Sequence, residues 1–142
     1  MALETVPSPV RSYGLLGLIP FLLPPAIAWA RPQFVQPMLA MEADYAALIL
    51  SFLGEVRWAM EARRATPDAH VIGQSMLPTL AALALMLIPA VSSRLFGLAI
   101  ALAAQWAWDR RSKDAPPWFS RLRMVLSAGA LVGVVAGGII LV

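Results

Sequence analysis

Cysteine is absent from this 142-residue chain. Disulfides, thiolate metal sites and cysteine nucleophiles are thereby excluded, while the redox compartment is left open. Histidine occurs once, at His70, so a bound metal would have to rest on carboxylates. Charge is scarce too: 13% of residues are Asp, Glu, Lys or Arg, about half the usual share of a soluble domain. The usual catalytic parts are missing together. There is no glycine-rich phosphate loop, no nucleophile elbow, no His-plus-carboxylate cluster and no pair of intramembrane aspartates. Neither enzymatic activity nor a cofactor is expected.

Apolar surface is what the chain has in excess. Hydrophobic residues make up 60% and mean hydropathy is +0.74, more than a water-soluble core can hide at this length. About 20 residues of helix cross the hydrocarbon of a bilayer. Stretches of that kind are expected at 13–30, 45–62, 71–90, 92–108 and 124–142. The second is the weakest, because Glu55 and Arg57 interrupt it. The expected fold is an all-α bundle of five transmembrane helices in a single membrane domain over 1–142. No linker divides the chain, and no internal repeat supports an inverted-repeat transporter.

Lys and Arg in the short loops set the orientation. With the N-terminus inside, the inner side holds Arg11, Arg63, Arg64, Arg110, Arg111, Lys113, Arg121 and Arg123, and the outer side Arg31 and Arg94. This predicts a multi-pass protein of the bacterial inner membrane, N-terminus inside and C-terminus outside. Tyr13, Trp58, Trp106, Trp108 and Trp118 would mark the inner interface, Trp29 and Tyr45 the outer. Net charge is +3. With basic loops flanking spans, the anionic partner is expected to be lipid headgroups at the cytoplasmic face, not nucleic acid. A rival reading takes Arg11, the apolar stretch and Ala28-Trp29-Ala30 as a cleaved secretory signal. Glu4 and the Pro24-Pro25 pair speak against it.

Gly129, Gly133 and Gly137 recur every four residues in the last span, which places them on one helix face where a second backbone can come close. Ser93, Gly97 and Ala101 form a parallel stripe in the fourth. One reading packs the two stripes together inside the protein; the other turns the glycine face to a partner protein or a second copy. Pro20, Pro24 and Pro25 in the first span and Pro78 in the third each remove a donor and displace a carbonyl four residues back. Those helices are expected to kink or break, the freed carbonyls finding partners on neighbouring helices or water. Ser75 and Thr79 stand close enough to help around Pro78.

Glu55 lies roughly 12 Å into its helix from Arg63-Arg64, at 1.5 Å per residue. Gln74, Ser75 and Gln105 fall at a similar expected depth. They predict one intramembrane polar layer, with Glu55 accepting hydrogen bonds from the others. Its plain role is interhelical adhesion or a buried neutral acid; the sharper one is a proton relay or cation site. Arg57 points away from Glu55 and is expected to snorkel or to meet Glu61. Between the last two spans, Arg110, Arg111, Lys113, Trp118, Arg121 and Arg123 suit headgroup contact, as simple anchoring or as specific binding of anionic lipid or a partner. Pro116-Pro117 would start the helix that follows. Thr66-Pro67-Asp68 reads as a helix start with Thr66 as cap.

Five phrases follow one another in order: GLLGLIPF at 14–21, YAALILSFLGEVRW at 45–58, SMLPTL at 75–80, QWAWDRR at 105–111 and PPWFSRLR at 116–123. As a set they resemble a family of unknown function found in bacteria and mitochondria, typified by transmembrane protein 69, over about Tyr13 to Met124. The resemblance implies a bacterial inner-membrane protein of about five helices and carries no activity with it. Where the family motif has a second small residue after the glycine, this chain has Glu55, which marks Glu55 as a feature of this protein. The leading expectation is a non-catalytic accessory or assembly subunit of a larger membrane complex, respiratory or photosynthetic machinery being a natural host. The alternative is a small transporter or ion or proton channel built on the broken helices and the layer around Glu55.

Overall fold

The structure is a computed structural model that describes residues 6–111 and 115–142. Among them the regular elements are all helical. Helices α1 (Ser8–Leu16) and α2 (Ile19–Ala30) are two halves of one rod, interrupted at Gly17-Leu18. The cause is Pro20, which has no N–H and whose ring excludes the carbonyl of Leu16. The chain tightens there: Leu18 N bonds Leu15 O and Phe21 N bonds Leu18 O, each at 3.0 Å. Pro24 and Pro25 were expected to break the helix as well. They sit inside α2, buried, without ending it.

Helix α3 (Val35–Ala62) is 28 residues long, about 42 Å at the standard rise. It begins ten residues before the expected start at Tyr45. Next come α4 (Ala69–Ser75) and α5 (Leu77–Met86), a second interrupted rod that breaks at Met76 just ahead of Pro78. Ser75 and Thr79 do not fill this gap as expected: Ser75 Oγ donates to Ile72 O at 2.6 Å, and Thr79 shares a 2.8 Å bond with Ser51 of α3. The cap of α4 is Asp68, whose carboxylate accepts the N–H of His70 at 2.8 Å, so Thr66 lies outside the helix. Finally α6 (Val91–Arg110) and α7 (Pro117–Ile140) follow, with Pro117 in the first turn of α7 as expected.

Among the described residues, three stretches, Ser8–Ala30, Ala69–Met86 and Pro117–Ile140, are long and apolar enough to cross a membrane. In α3 and α6 charged and polar residues such as Glu42, Glu55, Arg57, Arg94 and Gln105 interleave with apolar ones. Helix α3 is central and packs against α2, α5, α6 and α7. Leu39, Ala43, Ala46 and Leu50 recur at helical spacing along its innermost face, a stripe facing the other helices. Phe21, Leu95, Leu98 and Val134 close the core around it. Outward, Leu22, Leu48, Phe52, Leu83, Ile100 and Val132 stand exposed on several helices at once. Apolar residues lie on both the inside and the outside, as a bilayer solvent requires.

Candidate functional site

The glycine face of α7 is used inside the chain. A Cβ at Gly129 would press on Leu18. At Gly133 it would overlap the carbonyl of Phe21, and at Gly137 the carboxylate of Glu42. These neighbours belong to α2 and α3, with Leu18 at the break before α2. The stripe of α6 has a different neighbour: Gly97 lies against Leu85 of α5. The two stripes therefore do not meet each other as expected. Spacing shows which residues share a face, but not which helix stands opposite. Helices α6 and α7 do pack together, through Gly138, where a Cβ would be 2.9 Å from the Phe96 ring. Ser93 is exposed and Ala101 partly so.

Of the residues expected in one polar layer, Gln74 and Gln105 line a common groove of about 370 Å³ beside Pro78 and Trp108, whereas Glu55 and Ser75 stand apart from it. Glu55 and Gln74 are exposed, whereas Ser75 and Gln105 are buried. Gln105 Nε2 donates to Asp109 Oδ1 at 3.1 Å, and Ser75 serves its own helix. Glu55 faces outward from α3 because it falls on the turn shared by Leu48 and Phe52, opposite the Leu39–Leu50 stripe. Arg57 does not meet Glu61. Its guanidinium stacks over Trp108 at 4.5 Å, while Glu61 accepts the Asp68 N–H at 2.8 Å and approaches Arg64 at 3.7 Å.

This end of the bundle also buries a charge pair that the sequence pattern does not reveal. Arg123 was expected at lipid headgroups, but it is 9% exposed. Its Nε and Nη2 reach Asp109 Oδ2 at 3.2 and 2.5 Å. Position 123 shares the inward face of α7 with Ser127 and Ala130, one and two turns on, and so turns to α6. Arg121, two residues back, is exposed, as are Arg110 and Arg111. Arg110 stacks over Trp106 at 5.0 Å, and Trp118 meets Phe119 edge-on at 6.2 Å. Lys113 lies outside the described residues. Charge-assisted hydrogen bonds of this kind are the strong ones.

Beside the pair runs a groove of about 500 Å³ between α1, α2, α3 and α7, lined by Tyr13, Phe21, Phe52 and Leu126 and closed at one end by Asp109, Arg123 and Ser127. Tyr45 lines it as well. Tyr45 is partly buried, stacked edge-on to Phe21 at 5.0 Å and donating to Gly17 O at 2.9 Å. The N–H four residues on, that of Phe21, bonds Leu18 O at the break, and the Tyr45 hydroxyl supplies the donor to Gly17 O in its place. Glu42, which sequence reading placed in a loop, is the most enclosed acid among the described residues: it is 0% exposed and both carboxyl oxygens lack a hydrogen-bond partner. The helical spacing of Leu39, Glu42 and Ala46 was the signal that could have found it. No cluster of His, Asp and Glu among the described residues could hold a metal ion.

Residues 6–139 match a family described as Protein of unknown function (DUF3429). Transmembrane protein 69 of Xenopus tropicalis is 34% identical over 142 residues, covering 94% of this chain and 55% of the relative. Transmembrane protein 69 of Mus musculus is 31% identical over 137 residues, covering 91% and 55%. The chain thus spans about half the length of the curated relatives it matches. No solved structure matches it.

Proposed function

The chain belongs to this family of unknown function, and from that premise we propose that it is a non-catalytic accessory or assembly subunit of a larger membrane complex. It sits in the bacterial inner membrane with five crossings, N-terminus inside and C-terminus outside. Arg110, Arg111, Trp118 and Arg121 face anionic headgroups. The observation that carries the subunit reading is Glu55. It is exposed on the outward face of α3 in line with Leu48 and Phe52, 69% and 61% exposed, and makes no hydrogen bond or ion pair among the described residues. A carboxylate on a lipid-facing helix surface is costly. A helix of a second chain with a donor or cation at that level relieves the cost, while Leu48 and Phe52 supply the apolar contact.

The test is mild solubilisation of the tagged protein from its own membrane, with mass spectrometry of what accompanies it. A photo-crosslinker at position 52 should capture a second membrane polypeptide in stoichiometric yield. Glu55→Leu should release that polypeptide without lowering the melting temperature. A protein that remains alone in mild detergent, with no crosslink from position 52, contradicts the proposal. Proton or solute movement by the chain reconstituted by itself would support the transporter alternative instead.

A further inference from the structure

Glu42 lies on the innermost face of α3, between Leu39 and Ala46, each 0% exposed like Glu42 itself. Its carboxylate is directed at α7, where the missing side chain of Gly137 leaves the space it occupies. Neither oxygen has a hydrogen-bond partner among the described residues. Among the described residues, the surrounding elements bring it no opposite charge. Helices α2 and α5 contain no ionisable residue, and those of α7 are Arg121 and Arg123, both in its first two turns. The short turn at 32–34 has none, and Arg31 before it is exposed. On α6, Arg94 is the ionisable residue of the first half; its guanidinium bonds the carbonyls of Ile88 and Pro89 and approaches Asp44 at 3.8 Å. On α3 itself, Asp44 is exposed and turned to Arg94.

An ionised carboxylate in such a place would lack both water and a counter-charge, a combination that proteins avoid by neutralising the group. An acid retained inside a membrane bundle under these conditions is a functional site by default. We propose that Glu42 is a proton-binding site built into the seam between α3 and α7, holding its proton in the packed bundle and releasing it only when α7 draws back from α3. On release the O–H bond breaks, the electron pair stays on the carboxylate and the proton passes to the entering water. Gly137 makes the seam both tight and separable: the acid fits without a covering side chain, and nothing interlocks α7 with it. This site stands whether or not a second chain docks at Glu55.

Infrared spectroscopy of the full chain in lipid tests it directly. At neutral pH the protein should show the carbonyl stretch of a protonated carboxylic acid, shifted in heavy water, and that band should be lost in Glu42→Gln and kept in Glu55→Gln. In the unaltered protein, dicyclohexylcarbodiimide should add across its C=N bond to the acid, and peptide mapping should place the adduct on Glu42; this readout needs no variant to fold. At one alkaline pH, amides around Gly137 should exchange hydrogen faster in the unaltered protein than in Glu42→Gln. Absence of the acid band, a band indifferent to Glu42→Gln, or no adduct on Glu42 overturns the proton site. Equal exchange in the two proteins overturns its coupling to the seam.

Discussion

Gly133 of α7 rests against the backbone carbonyl of Phe21 on α2, so closely that a Cβ there would overlap both carbon and oxygen. The carbonyl is bare for a reason written four residues on. Pro25 has no N–H to offer it. A proline in one helix thus opens a carbonyl, and a glycine in another lets backbone close over it. Small residues serve this purpose in membranes, where close packing rather than water-driven burial holds helices together.

Gly133→Ala should therefore lower stability by about 1–3 kcal/mol, the usual cost of forcing extra volume into a packed contact. Thermal unfolding in mild detergent measures it. Gly73→Ala is the control: a Cβ at Gly73 meets nothing within 4 Å, so this change should be neutral or raise stability by up to about 1 kcal/mol through helix propensity.

Tyr45→Phe removes the donor to Gly17 O and leaves the apolar packing on Phe21 in place. The expected loss is about 0.6–2 kcal/mol, the range for interhelical hydrogen bonds in membranes. The same change should speed amide exchange at 17–21, where the rod is already interrupted. Unaltered exchange at those residues would show that the break does not depend on Tyr45.

Asp109→Asn leaves the buried Arg123 without its counter-charge and should cost about 3–5 kcal/mol. Arg123→Met combined with Asp109→Leu removes both charges together and should recover most of that loss. Melting of the single and double variants checks the pair. Arg121→Ala should change stability little, since that side chain is exposed.

How much of this was legible beforehand depends on the kind of signal. Hydropathy alone conveyed an all-helical membrane protein, and Pro20 and Pro78 located the two interruptions because their effect is local and steric. The first turns of α3 escaped notice because Gln36, Pro37, Glu42 and Asp44 resemble a loop in any window average. The stripe Leu39, Ala43, Ala46, Leu50 runs through them unbroken, and periodicity would have outweighed polarity. Arg121 and Arg123 are equivalent in a charge count, yet two residues on a helix separate outward from inward. The partners of Gly97 and Gly133 were not legible at all. They depend on which helices neighbour each other, which no single-helix pattern contains.

Asp68→Ala should weaken the start of α4 by about 1 kcal/mol through loss of its cap, whereas Thr66→Ala should have no comparable effect. Helical content by circular dichroism and the melting temperature distinguish the two. A larger loss in Thr66→Ala would contradict the assignment of Asp68 as the cap.

Because the chain has no cysteine, single cysteines report its topology without background. Gln33→Cys and Ser120→Cys, in intact cells, can each be challenged with a membrane-impermeant maleimide. Position 33 should react from outside, and position 120 only after permeabilisation. Labelling of both positions from the same side would contradict the five-crossing arrangement.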